Sequence, residues 1–411
     1  MITPSQVFME KYQNFYSLFV VTISTLLMLL LPFICYNCPF SGPGGSIERS
    51  LGLLIALSPC ALIISLPACY LSSISRCTRQ GIVVKGTAQL ELIPSIKTIA
   101  FDKTGTLTEP LLKMKSLLTW NKNGGRVKPP EEGMVALLLL EEQTLHPVGR
   151  SIAFYLREHL NNLPSSLELD KVEQFLGQGL TSIWKEGTIC IGSEQLASKW
   201  VPSDLLELAA EEGNKWIKEG GTAIYGWADN HLFLFCLEEK VRESALKVIE
   251  SFKEKGIHPI ILSGDRQEQV ERIANALKIE QFHFDLSPRQ KFDFISDLAQ
   301  KTSIMMVGDG INDGPALSKA HIGVAMGGVG ESLATESASI VLLKDNLEQL
   351  PWLFQQALRT RQVIQQGWIF STISIALGSL IAISGHSMIW FSVLLHEGST
   401  ILVALNGLRL L

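Results

Sequence analysis

The sequence predicts an α/β protein tied to a membrane. A doubly wound parallel sheet carries an inserted α+β domain and stands between pairs of transmembrane α-helices. Three observations point there. Residues 17–35, 50–75 and 362–396 contain no Asp, Glu, Lys or Arg, and a spanning helix needs about 20 apolar residues. Four apolar stretches end in small or acidic residues: TIAFD (98–102), PIILSGD (259–265), SIMMVGDG (303–310) and HIGVAM (321–326), with SIVLL (339–343) after them. Near-continuous apolar strands that alternate with helical patterns mark a parallel sheet covered on both faces. More than 150 residues separate the first strand from the second, enough for an inserted domain.

The first two uncharged runs each fit one span. The third fits two, divided at SGHS (384–387). The expected spans are about 17–36, 50–75, 363–383 and 388–408, which assigns residues 1–76 and 356–411 to the membrane. Arg76, Arg79, Lys85 and Lys97 follow the second span, and Arg359 and Arg361 precede the third. Positive charge collects on the cytoplasmic side. The middle of the chain and both termini are therefore expected inside a plasma (bacterial inner) membrane, with loop 35–48 outside. A composition of 46% hydrophobic and 18% charged residues agrees with membrane residence. A net charge of -5 gives no reason to expect a nucleic-acid partner. The seven cysteines are scattered and odd in number, so no disulfide framework is expected.

Helical patterns at 242–255 and 267–277 lie between the strands. Ligands of doubly wound sheets sit beyond the carboxyl ends of the strands. Asp102, Asp265 and Asp309 all fall at such ends, so distant carboxylates are expected at one edge. The insert, residues 112–234, has its own strands (187–191, 223–227) and helices (133–142, 149–159).

The stretch IKTIAFDKTGTLTEP (96–110) ends a buried strand in Asp102, followed by Lys103, Thr104, Gly105 and Thr106. A strand-tip carboxylate ringed by the amides of a tight turn suits nucleophilic attack on a phosphoryl group. Gly105 lets the backbone approach the phosphate, and a lysine neutralises developing charge. Taken alone, the motif also reads as an ordinary helix cap. Its companions weigh against that reading. DKTGTLT resembles the phosphorylation motif of P-type ATPases, membrane pumps that pass through an aspartyl-phosphate. GDGINDGPAL (308–317) resembles their magnesium-binding hinge. LSGD (262–265) resembles their TGD element with Ser263 in place of Thr, and Lys291 matches the lysine that holds the transferred phosphate.

The resemblance implies a haloacid-dehalogenase-like phosphorylation domain (77–111 and 235–355) around a nucleotide-binding domain (112–234). It implies a catalytic set of Asp102, Lys103, Thr104, Ser263, Gly264, Asp265 and Lys291. Asp309 and Asp313 are suited to hold Mg²⁺; Asp102 and Thr104 complete that set, with Asn312 in support. Related soluble phosphatases of this sheet fold carry an acid-base Asp two residues after the nucleophile. Here Thr104 stands there and cannot do that work near neutral pH, so a phospho-Asp102 is expected to persist.

In LEEQTLHPVGRSIA (140–153), His146-Pro147 resembles the pair that positions ATP in the heavy-metal branch. Glu141 matches the acidic residue near the adenine, and Gly177, Gly179 and Gly192 match the glycines beside it. IALSPCALIISLPACY (55–70) puts Pro59 and Pro67 within a span, where a freed carbonyl can line a site. Cys60 adjoins Pro59, and His396 and Glu397 sit mid-span in LLHEGSTILVALNGL (394–408). Thiolate, imidazole and carboxylate suit a divalent transition metal better than Cu(I), which prefers several sulfurs. SPC with HEGST resembles the cobalt/zinc/cadmium group. The ligands expected for the transported ion, Zn²⁺, Co²⁺, Cd²⁺ or Fe²⁺, are Cys60, His396 and Glu397, with Ser58 and Thr400 weaker. Cys35 and Cys38 have metal-like spacing at an outer helix end.

A pump of this branch also has an actuator domain, whose TGE motif activates water. No TGE occurs in the sequence, so the chain reads as the C-terminal portion of a pump, whether a truncated gene model, a fragment or a split subunit whose partner would be the missing N-terminal half, and is expected to turn over slowly, if at all, alone. The alternatives are a membrane-tethered phosphatase of the same sheet fold, disfavoured by Thr104 and the insert, and a non-catalytic metal- or nucleotide-binding remnant.

Overall fold

The computed structural model describes residues 4–34, 38–144, 146–160, 169–185, 187–309, 313–327, 336–385 and 389–411. Two compact units emerge. One comprises Met1–Thr98, Ile295–Met306 and Gly310–Leu411; the other comprises Ile99–Phe294 and Val307–Asp309.

A seven-stranded sheet runs in the order Ile82–Val84, Ile340–Leu342, Ile322–Met326, Ile304–Gly308, Thr98–Asp102, His258–Leu262, Gln281–His283. Ile322–Met326 pairs in parallel with Ile340–Leu342, as does His258–Leu262 with Gln281–His283. Ile82–Val84 is antiparallel at its edge. Every residue of Thr98–Asp102, Ile304–Gly308 and Ile322–Met326 is buried. Their apolar runs form strands because both faces are covered. The two edge strands have three residues each, too few to show a period in sequence.

A six-stranded sheet lies in the second unit, ordered Lys113–Asn121, His231–Glu238, Thr222–Ala228, Gly187–Gly192, Gly179–Trp184, Asp170–Phe175. It is antiparallel at every pairing. Strand His231–Glu238 shows why it is covered twice. Phe233, Phe235 and Leu237 pack with Leu137, Leu140, Ile152 and Leu156, on helices Glu131–Glu141 and Pro147–His159. The alternate residues Leu232, Leu234 and Cys236 pack with Leu205 and Ala209 of helix Ser203–Lys218. A period of two on each face is the strand signature.

Four helical segments are long and apolar enough to cross a membrane: Phe15–Ile34, Ser46–Arg79, Gln349–Ser384 and Ile389–Leu408. The second is broken into Ser46–Ala56 and Cys60–Arg79. Pro59 has no amide hydrogen to continue the ladder, and the Ile55 carbonyl instead accepts from Ser58 N at 3.2 Å. Pro67 lies inside helix Cys60–Arg79 without ending it. Gln349–Ser384 is one continuous helix that starts well before its uncharged stretch, and Gly385 closes it in a left-handed conformation, φ +72°. Of the turn expected at 384–387, residues 386 and 387 lie outside the described residues.

Polar side chains lock these helices together. Buried Thr360 Oγ1 donates to Ser73 Oγ at 2.8 Å, and Gln356 Nε2 donates to the Ser73 hydroxyl and the Leu410 carbonyl at 3.2 and 3.3 Å. Arg76 Nη1 donates to Leu411 O at 2.7 Å. In an apolar medium such bonds act as interhelical glue.

Candidate functional site: a strand-tip carboxylate, a glycine-lined cavity and a broken helix

Asp102 ends its strand at 6% exposure. The strand is held by burial of Ile99, Ala100 and Phe101, all fully covered. The chain then turns sharply. Gly105 has φ +72°, a conformation that disfavours any side chain. Arg242 clamps the turn, donating from Nη2 to Gly105 O at 2.6 Å and from Nε to Thr108 O at 3.1 Å. Lys291, in the first turn of helix Pro288–Lys301, donates to Asp102 Oδ1 at 2.5 Å. Both partners are buried, so the pair resists screening by salt.

Lys103 is fully buried. Its ammonium pairs with Glu239 and, at 2.9 Å, with Asp265 Oδ2. Asp265 also accepts from Ser263 Oγ at 2.8 Å and Thr104 Oγ1 at 3.1 Å. Burial pushes the Asp265 carboxyl up, but the Lys103 charge and these hydrogen bonds outweigh it and hold the group below its usual range. Gly264 packs closely, since a Cβ there would lie 3.1 Å from Leu286 O. Asp309 reaches the same turn, with Oδ2 3.6 Å from the position of a Cβ on Gly105. Asp102, Lys103, Thr104, Ser263, Gly264, Asp265, Lys291 and Asp309 thus gather within the second unit. Asp313, 2% exposed, belongs to the first. Asn312 lies outside the described residues.

In the six-stranded domain, Glu141, His146, Gly177, Gly179 and Gly192 line one cavity of about 220 Å³, with Thr144, Phe175 and Gln178. His146 caps helix Pro147–His159, its Nδ1 accepting from Val148 N at 3.3 Å. Gly179 and Gly192 pair across neighbouring strands. A Cβ at Gly179 would stand 2.1 Å from Ile191 O, and one at Gly192 would stand 2.0 Å from Gln178 O, so only glycine lets these backbones meet. Glu141 is 6% exposed, and burial pushes its carboxyl up to about 7. The pocket therefore presents a carboxyl that is largely neutral below pH 7, an imidazole and open backbone.

Among the membrane helices, Ser58 and His396 line a cavity of about 10 Å³ with Ser374, Ser392 and Ser399, room for about one water. Cys60 lies beside it, its Sγ 3.1 Å from Ser58 Oγ. Glu397 is exposed on the same helix as His396. The Thr400 hydroxyl donates to His396 O at 3.0 Å, inside its own helix. Ser58 and His396 thus share one cavity and Cys60 touches Ser58, while Glu397 is exposed and the Thr400 hydroxyl bonds within its own helix. Cys38 is buried with Sγ 3.6 Å from Gly44 O, and Cys35 lies outside the described residues.

Residues 96–321 match the haloacid dehalogenase-like hydrolase family. The chain belongs to that family. The chain is 31% identical, over 99% of its length, to a probable cadmium-transporting ATPase of Alkalihalophilus pseudofirmus, of which it covers 56%. It is 30% identical over its whole length to a zinc-transporting ATPase of Bacillus subtilis, covering 62%. Among solved structures it is similar to a zinc-transporting PIB-type ATPase in the E2.Pi state, with a TM-score of 0.77 and 26% identity over 98% of this chain and 64% of the other. The chain spans a little over half the length of these curated relatives.

The resemblance of the sequence motifs implies a magnesium ion. Among the described residues no group of three or more His, Cys, Asp or Glu converges as a closed metal site. Magnesium keeps several waters and is held by one or two carboxylates plus substrate phosphate. Asp102 and Asp309, both at the Gly105 turn, are such a pair. Sequence reasoning did not single out Glu239 and Arg242. The signal was LEEKVR (237–242), charges that begin at the end of a strand whose six central residues are buried.

Proposed function

We propose that this chain supplies the phosphorylation, nucleotide and metal-translocating parts of an ATP-driven exporter of a divalent transition metal, Zn²⁺, Cd²⁺, Co²⁺ or Fe²⁺. The observation that carries the proposal is the buried Asp102 carboxylate at its strand tip, paired with Lys291 and flanked by the Lys103–Asp265 pair. Asp102 attacks the γ-phosphorus of ATP. An Asp102 O–P bond forms, the bond to the bridging β,γ-oxygen breaks, and ADP leaves with that oxygen. Lys291 exchanges Asp102 for a phosphoryl oxygen and neutralises charge as it builds. Magnesium bound by Asp102 and Asp309 would supply further neutralisation. Thr104 and Ser263 offer hydroxyls to the phosphoryl group, and the Gly105 turn brings amides to it.

ATP is assigned to the cavity lined by Glu141 and His146, with Gly177, Gly179 and Gly192 admitting base and ribose. The transported ion is assigned to the break at Ser58–Cys60 and to His396. Glu397 is proposed as a ligand only after it turns from its exposed position. Release of phosphate from Asp102 is assigned to an actuator segment outside these 411 residues, consistent with Thr104 being no general base.

The test is acid-stable labelling. Membranes holding the chain are given γ-labelled ATP and Mg²⁺, with and without Zn²⁺, Cd²⁺, Co²⁺ or Cu⁺. The expected result is metal-stimulated label on the chain that vanishes in Asp102→Asn. Label that survives in Asp102→Asn, or absence of label even when the upstream half of a relative is supplied, overturns the proposal.

A further inference from the structure

The cavity lined by Glu141 and His146 holds a polar group that the proposed function leaves unused. Gln178 lines this cavity from the turn between strands Asp170–Phe175 and Gly179–Trp184, which pair antiparallel. Both of its backbone groups are spent. Its N–H donates to Phe175 O at 2.9 Å, and its carbonyl accepts from Ser193 N at 2.7 Å. Its side-chain oxygen is covered from solvent and has no hydrogen-bond partner among the described residues. A buried acceptor left unpaired is costly, and each such atom in a native fold calls for a reason.

Neighbouring acceptors are already taken. Thr144 Oγ1 accepts from His146 N at 3.1 Å, His146 Nδ1 from Val148 N at 3.3 Å, and Ser193 Oγ from Leu196 N at 3.3 Å. Gln174 is exposed. Gln178 and Glu141 are left as the covered groups that a ligand would satisfy. No lysine or arginine is among the described residues lining the cavity, so it suits a neutral ring better than a chain of phosphates. Phe175 supplies an aromatic wall, with Lys199 Nζ 4.4 Å from the centre of its ring. All of these residues belong to the second unit.

The chemistry of a glutamine amide decides between bases. It presents one acceptor and one donor side by side. Adenine's 6-amino group and N7 are one donor and one acceptor, and match it. The 6-oxo group and N7 of guanine or hypoxanthine are both acceptors, and one of them is mismatched. The terminal torsion of glutamine is broad, so the amide turns toward a base without a change of backbone.

We propose that Gln178 selects the base in this cavity, pairing through its amide with the 6-amino group and N7 of adenine and rejecting 6-oxopurines. The inference rests on the assignment of ATP to this cavity and adds the residue that reads the base.

The test uses the full chain, purified in a mild detergent and titrated by calorimetry with ADP and IDP. Neither has a γ-phosphoryl group to transfer, and IDP carries a 6-oxo group where ADP carries the amine. The unmodified chain is expected to bind ADP at least about tenfold more tightly, a difference of about 1.4 kcal/mol. Gln178→Leu should bring the two nucleotides to equal affinity. Gln178→Lys offers donors only and should reverse the preference toward IDP. A purely structural role would weaken both nucleotides together and leave their ratio as it was. Equal binding of ADP and IDP by the unmodified chain, or a ratio unaltered by either substitution, would overturn this inference and leave the ATP assignment standing. Failure of the unmodified chain to bind either nucleotide would overturn both.

Discussion

Lys103 shows how much one side chain can be asked to do. It is fully buried and neutralises two carboxylates, Glu239 and Asp265. Removing one partner of a buried ion pair costs about 3–5 kcal/mol, since the remaining charge is stranded. Asp265 is 37% exposed and will recover some hydration, which puts Lys103→Met near the lower end, about 3 kcal/mol. Hydrogen exchange of strand His258–Leu262 should speed up accordingly; unchanged exchange would mean that the ion pairs add no stability. Glu141 makes a pH-dependent case. Its carboxyl is raised from 4.5 to about 7 by burial, so the folded state holds a proton that the unfolded chain has lost across that window. Stability should therefore fall as pH rises from about 4.5 to 7, by roughly 3 kcal/mol at about 1.4 kcal/mol per unit. Glu141→Gln should abolish this slope, read as exchange in helix Glu131–Glu141 at pH 5 and pH 8.

The decisive elements are those where the chain departs from regularity. The strand pair Gly179–Trp184 and Gly187–Gly192 can close only because Gly179 and Gly192 lack a Cβ. In Gly179→Ala the new methyl would meet the Ile191 carbonyl 2.1 Å away, and Gly179 also has φ +138°. The two strands must part, and ATP binding to the chain, followed by titration with a fluorescent analogue, should weaken at least about tenfold, in line with the 1–3 kcal/mol of strain stored at such positions. The break at Leu57–Pro59 is a second case. A regular helix would turn Ser58 and Cys60 by about 100° per residue around its axis; the break lets the two side chains meet at 3.1 Å. Pro67, by contrast, sits in an unbroken helix, because a proline removes a bond without dictating whether neighbours re-satisfy the carbonyl.

For the whole molecule, the proposed function joins a phosphate site to an ion site. His396→Ala should remove metal stimulation of phosphate labelling while nucleotide binding stays unchanged. If labelling of His396→Ala still responds to Zn²⁺ or Cd²⁺, the membrane cavity is not where the ion is sensed. Glu397 belongs to the same question. A carboxylate in the middle of an apolar span costs about 2.5–3.5 kcal/mol on insertion scales, yet it is exposed in this chain, so Glu397→Gln should raise the yield of inserted protein.

The sequence alone determined five strands of the seven-stranded sheet, two strands of the six-stranded one, the four apolar spans and the cluster of acidic strand ends, because each is written locally. Burial on both faces leaves a continuous apolar run, a span leaves an uncharged one, and a phosphate turn demands glycine. The tertiary structure decided what local patterns cannot encode. It chose Glu239 and Arg242 as the groups around the Asp102 turn, 137 and 140 residues away in sequence. It gathered five residues spread from Glu141 to Gly192 around one cavity. It placed His396 on the membrane cavity and left Glu397 facing out, since one residue along a helix is a turn of about 100°. It also raised Glu141 to about 7. Which atoms share a pocket depends on how separate elements pack, and that packing sets burial, charge and pKa together.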